Sequence, residues 1–408
     1  MTSRHLERSV HINVLTESRT QTDGLFSLID PEALYERPIP ERHRIIFYLG
    51  HLEAFDWNLI GRTGLGLESF HPQYDRLFAF GIDPPEGQLP NDQPPDWPSI
   101  EEVQDYNRQV RRELDEAWDS APPELRHAAI EHRWMHAETL VYILHNLEYS
   151  RKKPDRSREP AASRMLDNSL IEIPAGFATL GRKMGEGFGW DNEFEEHKVD
   201  VPAFRIRRHK VTNGEYLQFV NAGGEVPFYW TRRGGEWCYR GMFSEIPLPH
   251  EWPVYVTFRQ AVEYSRWKGV SLPTEAQWHR AAFAAADGEE RLYPWGDAPP
   301  DASRGNFDFD RWDPVPVDAN PRGESAFGVQ QAVGNGWEWT STVFGPFPGF
   351  SPRSYYPGYS ANFFDGQHYV LKGGSPRTAA VLLRRSFRNW FRPRYPYIYA
   401  TFRCVEEP

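Results

Sequence analysis

A polar, charged stretch over residues 149–168, with Arg151-Lys152-Lys153-Pro154-Asp155-Arg156 near its start, separates two patterns that one architecture cannot hold. Before it, apolar residues recur near the 3.6-residue period of a helix, as in Ile45, Ile46, Leu49, Leu52 and Phe55. After it come short apolar runs split by Gly, Pro, Asn and Asp, such as Ile171-Glu172-Ile173-Pro174-Ala175-Gly176 and Val199-Asp200-Val201-Pro202. At 408 residues the chain is also too long for one average domain. The expectation is an α+β chain: a helical domain over 1–150, a linker over 151–168 and an irregular domain over 169–408.

In the first domain four helices are predicted, near residues 6–28, 42–60, 99–118 and 123–147. Ser99 before Ile100-Glu101-Glu102 reads as an N-cap with an acidic first turn, and Pro122-Pro123 breaks that helix from the next. Four helices suffice for a bundle whose core can house a metal. In the second domain helices are few, near 213–221, 258–268 and 274–285. The chain's 15 Trp, 19 Tyr and 26 Phe, beside 32 Gly and 35 Pro, suit a loop-rich body pinned by large rings.

Three histidines carry the chemistry of the first domain. His132 and His136 stand in Glu131-His132-Arg133-Trp134-Met135-His136-Ala137-Glu138. On a helix the i, i+4 spacing puts both imidazoles on one face, able to grip one ion. His51, in Tyr48-Leu49-Gly50-His51-Leu52-Glu53, offers a third nitrogen from a neighbouring helix. Three neutral imidazoles leave coordination positions open for substrate and oxygen. Zinc, copper and iron all accept such a set, and residue type does not choose among them. Three unrelated core or surface histidines are the plain alternative.

Composition excludes several classes. A formal net charge of −11 argues against nucleic acid as a partner. Two cysteines, Cys238 and Cys404, imply no disulfide framework and a reducing compartment. The first ten residues hold no apolar signal region, and no apolar run is long enough to span a bilayer, so a soluble cytoplasmic protein without membrane contact is expected.

Six motifs then occur in order: Ile173-Pro174-Ala175-Gly176, Val211-Thr212-Asn213-Gly214-Glu215-Tyr216, Leu272-Pro273-Thr274-Glu275-Ala276-Gln277-Trp278, Tyr293-Pro294-Trp295-Gly296, Val333-Gly334-Asn335-Gly336-Trp337-Glu338-Trp339-Thr340 and Lys372-Gly373-Gly374-Ser375. Together they resemble the formylglycine-generating-enzyme-like (sulfatase-modifying-factor) domain, a C-type-lectin-like fold. The first half resembles the DinB-like four-helix bundle, where His51, His132 and His136 match the family's metal ligands. Both domains in this order resemble the ergothioneine-type synthases, non-heme iron enzymes that use O2 to join a sulfur or selenium donor to hercynine. The resemblance implies Fe(II) as cofactor. It also excludes sulfatase activation, because neither Cys238 nor Cys404 lies where that activity needs a cysteine pair.

Within that family, His71-Pro72 is followed by Phe78-Ala79-Phe80-Gly81-Ile82-Asp83-Pro84. Gly81 and Ile82 stand where thiol-using members carry a tyrosine pair, so the segment is most similar to the selenoneine synthase branch, which takes a selenosugar. By the same resemblance Asn389 and Trp390 match hercynine-contacting positions. Phe391 replaces the acidic residue that helps hold a thiol peptide, and Met135 replaces a hercynine-binding Gln. Aromatic faces suit the trimethylammonium group, and amide or guanidinium donors suit the carboxylate. Arg392 and Arg394 are donor contacts or surface charges, and Tyr355 and Tyr356 are proton donors or packing residues. Three functions stay open: a selenoneine synthase, a hercynine sulfoxide synthase using cysteine or γ-glutamylcysteine, and a small-molecule-binding protein with a structural metal. A zinc-dependent thiol transferase is a further possibility.

Overall fold

A computed structural model describes residues 3–79, 89–154 and 169–407, with side chains from residue 14 onward. Gly81, Ile82 and their neighbours, and most of the expected linker (155–168), lie outside the described residues. The chain divides into two compact units, Met1–Arg156 and Ser157–Pro408.

The first unit holds α1 (Ser3–Ser27), α2 (Ile45–Asp56), α3 (Pro72–Leu77), α4 (Ile100–Ala117) and α5 (Pro123–His145). Helix α1 packs on α5, and α2 packs on both α4 and α5. Helix α4 begins where its N-cap serine predicts and is amphipathic, burying Val103, Tyr106, Val110 and Leu114 at spacings of three and four. Its start is a capping box: Ser99 Oγ accepts from Glu102 N at 3.3 Å, and Glu102 Oε2 accepts from Ser99 N at 2.8 Å.

Helix α2 departs from its predicted amphipathic character. Every residue except Leu49 is buried, so it runs through the centre of the bundle and takes packing on all sides. Beyond Asp56 it widens into a π-helical stretch, Trp57–Gly64. The short helix α3 was not predicted. Pro72 stands in its first turn, and His71 Nδ1 accepts from Tyr74 N at 3.2 Å. It delivers Phe78 to the bundle core, where that ring is fully buried.

The second unit is built of small sheets. Strands β1 (Leu170–Ile173), β4 (Phe204–Arg207) and β12 (Val405–Glu406) form one, and β2 (Gly176–Leu180) pairs with β3 (His197–Val201). A third holds β5 (Trp230–Arg233), β6 (Glu236–Arg240) and β7 (Glu245–Pro247). The fourth has the order β10 (Asn389–Phe391), β9 (Tyr369–Lys372), β8 (Trp337–Val343) and β11 (Ala400–Thr401). Helices α6 (Asn213–Asn221), α7 (Phe258–Lys268) and α8 (Glu275–Phe283) each begin with a Thr-x-x-Glu/Gln capping box.

With so little sheet, buried arginines do much of the joining. Arg403 forks onto Glu338 at 3.0 and 3.1 Å, and Arg388 onto Glu275 at 2.9 and 3.1 Å. Arg280 donates to the carbonyls of Pro174, Ala175 and Phe177 at 2.8, 3.1 and 2.9 Å. That clamp explains the Ile173–Gly176 motif: a Cβ on Gly176 would lie 2.5 Å from the guanidinium. Among the described residues no helix is long and apolar enough to cross a membrane.

Candidate metal centre

Helices α2 and α5 bring the three histidines together. One ligand atom from each of His51, His132 and His136 lies within 4.8 Å of the others. Nε2 of His51 and Nε2 of His136 are 3.3 Å apart. Metal–nitrogen bonds of about 2.1 Å at tetrahedral or octahedral angles put ligand nitrogens roughly 3–3.5 Å apart, so this pair fits a shared ion. His51 and His132 are buried and His136 is partly so.

Each imidazole is oriented by its surroundings. His51 Nδ1 donates to the Phe78 carbonyl at 2.7 Å, which fixes the tautomer and leaves Nε2 as the lone-pair nitrogen. Phe47 stacks on the His51 ring at 4.9 Å, and Phe55 on the His132 ring at 3.4 Å. Tyr48, on the turn before His51, has its ring 6.0 Å from that of His136.

Burial is the main cause that lowers all three pKa values. His51 falls to about 4, the Phe78 carbonyl opposing the shift and the charges of His43 and Arg133 assisting it. His132 and His136 fall well below the ordinary value. Neutral imidazoles at physiological pH are what a metal requires, so the donor set suits an ion such as iron(II), zinc or copper(II).

Sequence reasoning missed four residues around this centre: Phe78, through its carbonyl, and Glu53, Asp56 and Arg133. The legible signal was two acids inside an otherwise apolar helix. Buried charge in a central helix requires a partner, and Arg133 supplies it.

The remaining sequence candidates belong to the second unit. Asn389 opens β10 opposite Leu371 of β9, and its Oδ1 accepts from Trp390 N at 2.9 Å. Trp390 stacks on Phe344 at 4.2 Å and meets the edge of Tyr359 at 5.4 Å. Tyr359 in turn stacks on Trp190 at 4.1 Å and lies 5.7 Å from Tyr356. One aromatic cluster thus joins Trp390 to the loop that holds Tyr356; Trp190 and Tyr359 were not foreseen. Burial, and then the Asp191 carboxylate, push the Tyr356 phenol up to about 12. It therefore stays protonated at neutral pH. Tyr355 and Arg392 are half-buried, whereas Arg394 is exposed and lines a groove of about 340 Å³ with Phe258, Arg259, Glu263 and Arg266.

Residues 156–408 match the sulfatase-modifying factor enzyme 1-like domain, and residues 15–146 match the DinB superfamily. Hercynine oxygenase of Mycolicibacterium smegmatis is 36% identical over 332 residues, spanning 74% of this chain and 76% of that protein. Ergothioneine biosynthesis protein 1 of Neurospora crassa is 27% identical across 93% of this chain and 56% of its own length. Formylglycine-generating enzyme of Streptomyces coelicolor is 30% identical across 57% of this chain and 85% of that protein.

Proposed function

From the premise that the chain belongs to the ergothioneine-type iron enzyme family, a DinB bundle joined to a sulfatase-modifying-factor-like domain, we propose that it is an O2-dependent iron(II) enzyme joining a chalcogen donor to hercynine, and specifically a selenoneine synthase. The observation that carries this reading is the convergence of His51, His132 and His136 in a chain similar to proteins named hercynine oxygenase and ergothioneine biosynthesis protein 1. A C–Se bond replaces a C–H bond of the imidazole and an Se–H bond of the donor, and the two electrons and two protons released pass to O2, giving H2O2, or water where the selenium also takes one oxygen atom as the selenoxide. Iron(II) on the three histidines would supply oxygen activation and a common anchor for both substrates.

The chain's own residues divide the remaining work. Neutral, oriented imidazoles hold the ion without competition from protons. Asn389 commits its Oδ1 to the backbone, which leaves its amide N–H groups to meet a carboxylate. The half-buried Trp390 offers an indole to the trimethylammonium group, worth about 1–2 kcal/mol when desolvated. Tyr356 keeps its proton at neutral pH, as a donor must, and Tyr355 on the same loop is the second candidate. Arg392 and Arg394 are assigned to the selenosugar. Gly81 and Ile82 in place of a tyrosine pair, with Phe391 in place of an acid, favour a selenosugar over a thiol peptide. The thiol reading is the second one, favoured by relatives named hercynine oxygenase and ergothioneine biosynthesis protein 1.

Aerobic incubation of the iron-loaded chain with hercynine and 1-selenoglucose, cysteine or γ-glutamylcysteine, followed by mass spectrometry, separates these readings. We expect the selenium adduct to dominate, and His132→Ala to abolish both bound iron and product. A sulfur adduct alone moves the assignment to the thiol branch. No hercynine adduct with any donor removes the synthase function.

A further inference from the structure

We propose that the buried ion cluster of Arg133, Glu53 and Asp56 is a positioning device for the metal ligands, holding α5 against α2 at the offset that brings His132 and His136 to His51. The inference rests on the metal-centre reading of the three histidines, but not on the choice of substrate or donor.

The placement is specific. Arg133 follows His132 on α5 and is completely buried. Its Nη2 donates to Glu53 Oε2 at 2.9 Å, Asp56 Oδ2 at 2.6 Å and the Leu52 carbonyl at 3.1 Å, and its Nη1 donates to Glu53 Oε1 at 3.1 Å. All three partners lie on α2, one, two and five residues beyond His51. The guanidinium beside one ligand therefore grips the helix segment that carries another. Glu53 also accepts from Arg111 of α4, at 2.8 Å from Nε and 2.6 Å from Nη2. Arg111 reaches Asp23 of α1 through two bonds of 2.7 Å. One charged layer thus ties all four long helices together at the level of the histidines.

Stability does not account for such a layer. A buried ion cluster returns little net stability over apolar packing of the same volume, because desolvating each ion costs several kcal/mol. Direction is what it supplies. Apolar side chains between α2 and α5 tolerate sliding by fractions of an ångström, since burial energy has no preferred angle. A planar guanidinium donating to two carboxylates and one backbone carbonyl does not tolerate it. A metal centre needs that precision, because ligand nitrogens must be held to within about 0.5 Å.

The test uses the full chain and Co2+ as probe, with affinity read by titration and geometry by the visible d–d spectrum. Arg133→Lys keeps the charge and removes the fork. The triple variant Arg133→Met, Glu53→Gln, Asp56→Asn removes all three charges, so that no ion is left buried alone. We expect a folded chain that binds Co2+ about 10-fold or more weakly, with a shifted d–d band, in either variant. A loss of helix content cannot imitate a shifted band in a folded protein. If wild type binds Co2+ and both variants match it in affinity and spectrum, the cluster does not position the ligands. If neither variant folds, the cluster holds the bundle itself and the proposal likewise falls. If wild type does not bind Co2+, the metal-centre reading fails first.

Discussion

Gly50 is the residue on which the geometry of His51 turns most closely. A Cβ added there would sit 2.6–2.7 Å from the Phe78 ring, the same residue whose carbonyl receives His51 Nδ1–H. Two opposing effects decide the outcome of Gly50→Ala. The helix gains about 1 kcal/mol from the better helix former, while overpacking a filled core costs about 1–3 kcal/mol. Phe78 is fully buried, so overpacking wins. We expect net destabilisation in urea and, because Phe78 must move, weaker metal binding. The double variant Gly50→Ala, Phe78→Leu should recover the stability; if Gly50→Ala binds metal as wild type does, the Phe78 carbonyl is not needed to hold His51. At this scale the sequence disclosed, through their type and spacing, which three histidines come together. It did not disclose the Phe78 carbonyl, because a backbone acceptor 27 residues away leaves no trace in residue identity.

Among the elements, four helices share one start signal, Ser or Thr followed three residues later by Glu or Gln. The cap on α8 has the widest consequence. Thr274 Oγ1 accepts from Gln277 N at 3.1 Å, and that nine-residue helix presents Glu275 to Arg388 and Arg280 to the Pro174–Phe177 turn. Thr274→Ala should lower the denaturation free energy of the second unit by about 1 kcal/mol, and Thr274→Asp should restore it. An unchanged urea midpoint in the alanine variant would mean that tertiary contacts alone fix the helix start. Such local signals are why helices were legible from sequence, with Ser99 the plainest case. The strands were not: β12 pairs with β4 and β11 runs parallel to β8, partners far apart in the chain. Pairing across that separation depends on how the whole unit closes, which no local window records. The all-round burial of α2 escaped for a related reason, since Glu53 and Asp56 look like a solvent face until Arg133 arrives from α5.

At the scale of the whole molecule, buried charge and buried neutral bases make acid the natural denaturant. His209 is buried, and its Nδ1 donates to the Val317 carbonyl at 3.2 Å. Burial, assisted by the Arg403 charge and opposed by that hydrogen bond, lowers its pKa from 6.5 to about 4. An unfolded chain takes up a proton on this group below pH 6.5, whereas the folded one refuses it until about pH 4. Stability therefore falls as pH drops through that window, by at most about 3 kcal/mol, and the loss levels off below it. Glu193 adds a second limb. Burial alone would raise its pKa, but Arg384 and Ser386 outweigh burial and lower it, so its contribution is present above pH 4.5 and disappears as pH falls further. In the metal-free first unit, burial lowers the pKa values of His51, His132 and His136 in the same direction. Comparing wild type with His209→Gln by urea denaturation across pH 7 to 3 isolates the one group. The variant should show a shallower slope between pH 6.5 and 4, by the contribution of this one group, since buried His279 and the first-unit histidines still act in that window, and it should keep the fall below it. Parallel curves across the upper window would show that His209 is protonated equally in both states, and that the acid limit is set by the carboxylates and the metal centre.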